Sequence, residues 1–320
     1  MDENNSDSKE FSIEEFDANL PNTVTLLRGA NDSKLYLVGT AHFSLESQQD
    51  VSRVIQAVKP DIVVVELCKG RANILRMDEK TIEEEVRNLS LEKMINIIKE
   101  NGVLQGMLNI LLLNLSAQLT RDLGMAPGGE FRKAFQEVKK LRHCLFHFGD
   151  RPIKVTLKRA LSVLTWWETI KLAVTLIFQK PNVSREDVER YKECDILESM
   201  LQELTEGFPK LGKVFIEERD KYLTYSLQLA TCITFPPGTG QGEPVVAVGI
   251  VGIGHTPGIL KLWGKVKESD IPPILIVNDK PSKGYFKKSL AVGLALYIGY
   301  KVVRSIPSSF TTKLLTAIKL

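Results

Sequence analysis

The chain is poor in the residues that most often announce a function. Four cysteines (Cys68, Cys144, Cys194, Cys232) are scattered over 320 residues with no CxxC spacing. Neither a zinc ribbon nor a disulfide framework is expected, and a reducing cytosolic setting is the simplest reading. The opening MDENNSDSKE lacks a basic start followed by an apolar run, and it lacks Arg-rich, acid-poor character. Secretion and matrix import are therefore not expected. There is no GxSxG elbow and no Walker A lysine, and GIVGIGH (249–255) does not match GxGxxG, so those hydrolase and nucleotide-binding layouts are not indicated. A net charge of +3 with 7% aromatic residues is not the footprint of a nucleic-acid platform, and no nucleic-acid partner is expected. What is present, 43% hydrophobic and 25% charged residues, suits a folded domain and excludes both wholesale disorder and a polytopic membrane protein.

The small net charge is an average over unlike parts. Residues 1–20 hold seven acids and one Lys, residues 280–320 hold eight Lys or Arg and no acid, and the rest carries +1. Residues 1–20 read as an acidic, disordered leader and 21–279 as the domain. In the tail, Lys287 and Lys288 precede an apolar run from Ser289 to Tyr300, and Lys301 and Arg304 follow it. Twelve residues make about 18 Å of helix, short of a bilayer core of about 30 Å. Snorkelling lysines and the run on to Ile306 stretch it to a marginal span. A C-terminal hydrophobic helix that tethers the chain to a membrane is expected, with terminal helices packed on the domain as the alternative.

Hydrophobic periodicity predicts a mixed α/β fold around a central, largely parallel sheet. Residues 23–27 and 34–38 read as a hairpin. Gly39-Thr40-Ala41-His42 follows, and Ser47 is a plausible cap for a helix in which Val51, Val54, Ile55 and Val58 share one face. Pro60 ends that helix, and Ile62–Val65 is a β-branched run closing at Glu66: a βαβ unit, its strands parallel. Near the C-terminus the order repeats: the run 245–251, Gly252-Ile253-Gly254-His255, a helix with Thr256 as cap and Pro257 in its first turn, then an apolar strand from Pro273 to Val277. His42 and Glu66 are 24 residues apart, as are His255 and Asp279. The two strand–GxxH–helix–strand units read as pseudo-repeats around a large helical insertion, about 78–142 and 156–232, interrupted by a strand from His143 to Phe148.

Ligand sites in such sheets form where strands present their C-terminal ends together. His42, Glu66, Asp150, Arg151 and His255 all follow strands. Two imidazoles and one or two carboxylates are the usual ligand set of a hydrolytic metal centre, which polarises a carbonyl and lowers the pKa of water. Gly39 and Gly252 complete the cofactor side, as the turn glycines that aim each His over the sheet edge. For each residue a plainer role stays open: a satisfied structural His, Glu66 paired with Arg71 or Arg76, Asp150 closing an Asx-turn. His143 and His147 lack a turn glycine and are weaker candidates.

Six segments taken in order, Gly39–His42, Val63–Leu67, Gly128–Arg132, Gly149–Pro152, Glu218–Asp220 and Gly252–His255, resemble the TraB/PrgY family, and the match covers about residues 21–278. The wider superfamily includes GumN-like, ChaN-like and Tiki proteins, the last being metal-dependent proteases. The resemblance implies a metal-dependent, peptidase-like hydrolase with a divalent metal of the Zn, Mn or Co type on His42, His255 and Glu66. It implies catalytic roles for Glu66 and Arg219, with Asp150 and Arg151 as further candidates. A peptide-like or protein ligand follows from PrgY, and the cytosolic face of the mitochondrial outer membrane from eukaryotic members with hydrophobic C-termini. Two alternatives remain: a non-catalytic adaptor on that membrane, and a haem-type binder suggested by ChaN. Arg219 in FIEERDKYL could also be one half of a surface i, i+4 pair. The family often carries Arg-Asn where this chain has Arg219-Asp220.

Overall fold

Both GxxH units feed one five-stranded sheet. The computed structural model describes residues 13–42, 44–76, Asn96, 128–165, 167–169, 171–172, 205–232 and 244–277. The chain divides into two units, Met1–Leu164 with Lys180–Val277, and Thr165–Gln179 with Asn278–Leu320. All the elements below belong to the first. In chain order they are α1 (Ile13–Ala18), β1 (Val24–Arg28), β2 (Lys34–Thr40), α2 (Leu45–Val58), β3 (Ile62–Val65), α3 (Gly129–Val138), β4 (Leu145–Phe148), α4 (Ile153–Val163), α5 (Pro209–Gly212), α6 (Glu218–Ala230), β5 (Val246–Gly252), α7 (Thr256–Leu262) and α8 (Pro272–Leu275). A π-helical turn, Lys213–Glu217, joins α5 to α6.

The strand order is β1-β2-β5-β3-β4; β1 pairs antiparallel with β2, and the other pairs are parallel. Here the βαβ reading needs refinement. β2 and β3 are parallel, but β5 lies between them, with Thr40 level with Gly252 and Val65 level with Ile250. The second GxxH turn is thus inserted between the first and Glu66. Alternation along the strands supplies both faces of the sheet. Tyr36, Val38, Val63, Val65, Val248 and Ile250 pack with α2 and Phe131, while Leu35, Leu37, Ile62, Val64, Ala247 and Val251 pack with Leu223, Leu227 and Ile259. Burying each large aliphatic contributes about 1.5–3 kcal/mol, so the sheet edge carrying polar groups rests on a core closed from both sides.

Three expectations change. Residues 13–18 of the acidic leader form α1: Phe16 packs on Tyr36 with ring centroids 6.2 Å apart. Asp17 accepts from Lys34 Nζ and Tyr36 Oη, both at 2.6 Å. Ser44, not Ser47, caps α2, its Oγ accepting from Ser47 N at 3.1 Å; Ser47 Oγ accepts instead from Ala41 N at 2.9 Å and pins the turn before His42. The strand expected from Pro273 is absent, because prolines at 272 and 273 have no N–H for a ladder and start a helix well. They open α8, and the carbonyls of Pro273 and Ile274 accept from Arg159 and Arg151. Of the expected insertion, residues 78–127 apart from Asn96 and residues 173–204 lie outside the described residues, as do Asp279 and the apolar tail run. Among the described residues no helix is long and apolar enough to cross a membrane.

Helices α2 and α3 are joined by a buried carboxylate. Glu137, 2% exposed, accepts from Ser52, Gln56 and Lys140. Burial alone would raise its pKa, but those hydrogen bonds and one from Lys133 outweigh it and hold it at about 2, against an ordinary 4.5. A carboxyl held low in the fold stabilises it above the ordinary value, and that contribution is lost as pH falls from 4.5 towards 2. Thermal melts across that window should show a shallower acid loss for Glu137→Gln than for the wild type.

Candidate functional site

The cluster is built at the C-terminal ends of β2, β5 and β3, with α3 and α6 contributing side chains. His42 stands two residues past β2, and its ring is 5.9 Å, centroid to centroid, from Phe131. Its Nδ1 lies 2.6 Å from Glu130 Oε1, in the first turn of α3. His255 lies at the start of α7, and its Nδ1 is 2.5 Å from Asp220 Oδ1. An ionised carboxylate can only accept, so each contact calls for a hydrogen on Nδ1. Nε2 of His255 faces Glu66 Oε1 at 3.4 Å.

Glu66 sits between them, 4% exposed. Its Oε2 accepts from Gly252 N at 2.6 Å, and its Oε1 accepts from Arg219 Nη2. Gly252 is needed for close approach: a Cβ there would stand 3.1 Å from His42 Nε2 and 3.2 Å from Glu66 Oε2. His42 Nε2 and Glu66 Oε2 therefore both border the second turn. Burial would raise the Glu66 pKa, but His255, Arg219 and His42 outweigh it and hold the group well below the usual range. For His255 burial opposes charge, yet the Glu66 carboxylate and the Asp220 and Glu66 hydrogen bonds, with Arg219 opposing, push it up to about 9.

Arg219 stands two residues past the π-helical turn, a local distortion often found at functional sites. Three consecutive residues there point to three separate sets of partners. Glu218 pairs with Arg151 and Arg159, Arg219 with Glu66 and Asp150, and Asp220 with His255. The Arg219 side chain is 12% exposed, so the surface-pair alternative does not hold. Asp150 accepts from Arg219 Nη2 at 3.0 Å and from Arg71 Nη2 at 2.6 Å, and its Oδ1 also accepts from Arg151 N at 2.7 Å. That last bond goes to residue i+1 and not to i+2, so it is not an Asx-turn, and Asp150 lies against the buried Arg219 guanidinium in the cluster. Arg71 does reach Glu66, but at its backbone carbonyl, 3.1 Å away.

Arg151 does not join the cluster. It is fully buried and donates to Thr156 Oγ1, Glu218 Oε2, Ile274 O and Val214 O at 2.6–3.0 Å, an internal brace between α4, α6 and α8. Gly39 also has a packing role: a Cβ there would stand 3.0 Å from Thr256 Oγ1. His147 sits within edge strand β4, level with Val64, not at a strand end. Two members of the cluster were not singled out from the sequence. Glu130 falls in the Gly128–Arg132 segment that resembles the family, and that segment was its only signal. Asp220 had only its place beside Arg219.

As donors for a divalent cation the types fit. Each imidazole has a carboxylate behind Nδ1, the arrangement found behind metal-bound histidines. Among these groups four carboxylates (Glu66, Glu130, Asp150, Asp220) face two guanidinium ions (Arg71, Arg219), leaving two negative charges for imidazole protons or a cation to balance. In their present positions, and among the described residues, no three His, Cys, Asp or Glu side chains are spaced to hold a metal.

Fold and site together define a class: a largely parallel α/β domain with two GxxH turns, a strand-end Glu and a buried Arg over one sheet edge. The chain belongs to the TraB/PrgY/gumN family, which matches residues 24–272. It is 48% identical to the TraB domain-containing protein of Mus musculus and 45% identical to that of Homo sapiens, in each case over 89% of this chain and 77% of the relative. An uncharacterized protein of Methanocaldococcus jannaschii is 28% identical over 86% of this chain and 65% of its own length.

Proposed function

We propose that the chain is a metal-dependent hydrolase of peptide-like substrates, with a divalent cation of the Zn, Mn or Co type on His42, His255 and Glu66. The observation that carries this reading is the pair of imidazoles, from separate strand ends, each with Nδ1 on a buried carboxylate, Nε2 of His255 facing Glu66 and Nε2 of His42 bordering the same Gly252 turn. The cation would supply Lewis-acid polarisation and a more acidic water. Glu66, as ligand or general base, holds a proton-accepting carboxylate at the sheet edge. Arg219 keeps its charge because Asp150 and Glu66 outweigh its burial, so it offers a fixed guanidinium to a developing oxyanion. Asp150, itself paired with Arg71, holds it from behind.

A second reading is the non-catalytic adaptor on the cytosolic face of the mitochondrial outer membrane. It is favoured by the mutual saturation of Glu66, Arg219 and Asp150, whose groups satisfy one another without a substrate. In both readings the lysine-flanked run 289–306 would serve as the tether. The two separate in one assay: the purified chain, metal-free or loaded with Zn, Mn or Co, is offered a mixture of peptides. Cleavage by loaded protein alone supports the hydrolase, and its absence with every metal leaves the adaptor.

A further inference from the structure

Neutral imidazole has two tautomers of similar energy, and a ring on a short side chain can turn either nitrogen to a ligand. A carboxylate behind Nδ1 removes both freedoms, because it holds a hydrogen on Nδ1 and turns Nε2 outwards, where a cation would displace any proton that nitrogen carries. Two carboxylates do this here, and they come from parts of the chain that share no motif. Glu130 is 1% exposed in the first turn of α3, and Asp220 is 5% exposed near the start of α6. Asp220 has little room for another rotamer: Gly258 of α7 packs so closely that a Cβ there would lie 1.9 Å from Asp220 Oδ2. Its second oxygen is thus boxed against α7 while the first takes His255. Glu130 reaches His42 from the opposite side of the sheet, since α3 packs with α2 and α6 with Leu35 and Leu37.

We propose that Glu130 and Asp220 are a matched pair of positioning residues, one above and one below the sheet, that lock His42 and His255 with Nε2 turned to Glu66. The inference rests on the metal-centre reading above, to which it adds what holds the two ligand atoms in register. Neither residue touches substrate or metal in this account; each acts through its imidazole. Loss of such an outer partner typically weakens metal binding about 10–100-fold.

The test uses the full-length chain with 15N-labelled histidine. In metal-free protein the hydrogen-bonded Nδ1–H protons of His42 and His255 are expected as slowly exchanging low-field imidazole signals. Glu130→Ala should remove the His42 signal alone, and Asp220→Ala the His255 signal alone. Zinc affinity, by competition with a chelator, should fall about 10–100-fold in each, while Glu130→Gln and Asp220→Asn, which keep an acceptor oxygen, should recover part of it. The inference is overturned if both alanine variants fold, keep both signals and bind zinc as the wild type does. Where the alanine variants do not fold, Glu130→Met and Asp220→Leu, close in size but without an acceptor oxygen, take their place, and unchanged signals and affinity in them equally overturn the inference. Wild-type protein that shows both signals yet binds no zinc would contradict the metal reading and leave the locking of the rings standing.

Discussion

Arg219→Ala costs the fold about 3–5 kcal/mol, the usual penalty for removing one partner of a buried ion pair. Domains of this kind have only about 5–15 kcal/mol in total. Arg219 stands between Glu66 and Asp150, with Nη2 bonded to both and Nε within 3.3 Å of both Asp150 oxygens. Arg71 still reaches Asp150 when Arg219 is gone, whereas among the described residues Glu66 is left with no guanidinium, keeping the Gly252 N–H and the His255 and His42 rings. The larger part of the loss therefore belongs to Glu66, and Glu66→Gln in the Arg219→Ala background should recover much of it, because a neutral amide carries no unpaired charge. Urea unfolding with an unchanged m-value reads both numbers. A variant within about 0.5 kcal/mol of wild type would place Arg219 among ordinary surface residues.

If the chain is the proposed hydrolase, Glu66→Gln alone lowers its metal-dependent peptide hydrolysis about 10²–10⁴-fold, the range of a lost general base. The amide keeps the size of the side chain and an oxygen for the Gly252 N–H, while Asp150 retains Arg219, so the fold survives. The informative comparison is kcat against zinc affinity in the same variant. A general base lost from a centre still held by two imidazoles lowers kcat much more than it lowers affinity. Hydrolysis unchanged by Glu66→Gln would remove Glu66 from the chemistry and return its charge to a purely structural role.

The parts of this site that follow strands were legible in the sequence. His42, Glu66, Asp150 and His255 each stand just past an apolar run, so periodicity alone put them at one sheet edge. Arg219 is different: nothing in FIEERDKYL separates a buried helix position from a surface pair, and only the resemblance selected it. Strand order was not legible, because the β-branched run 62–65 pairs equally well with β2 or β5, and the choice is made by packing over a separation of nearly two hundred residues. Arg151 was misplaced because its neighbour Asp150 does join the cluster. Adjacent residues leaving a strand point to different sides, and Arg151 takes the carbonyls of Val214 and Ile274 instead. The strand expected at 273–277 failed on backbone chemistry, since two prolines outweighed an apolar pattern. Glu130 and Asp220 were hidden for a simpler reason: an acidic residue in a helix usually faces water, and only the three-dimensional partner shows otherwise.

The central claim is that two GxxH histidines and one glutamate form a divalent-metal centre, and metal binding tests it most directly. Full-length wild-type protein and the His42→Ala/His255→Ala double variant are freed of metal, titrated with zinc, manganese and cobalt, and checked for folding by circular dichroism. The account expects one divalent ion bound per wild-type chain and none by a folded double variant. Equal metal binding by the two proteins, or none by folded wild type, would contradict it.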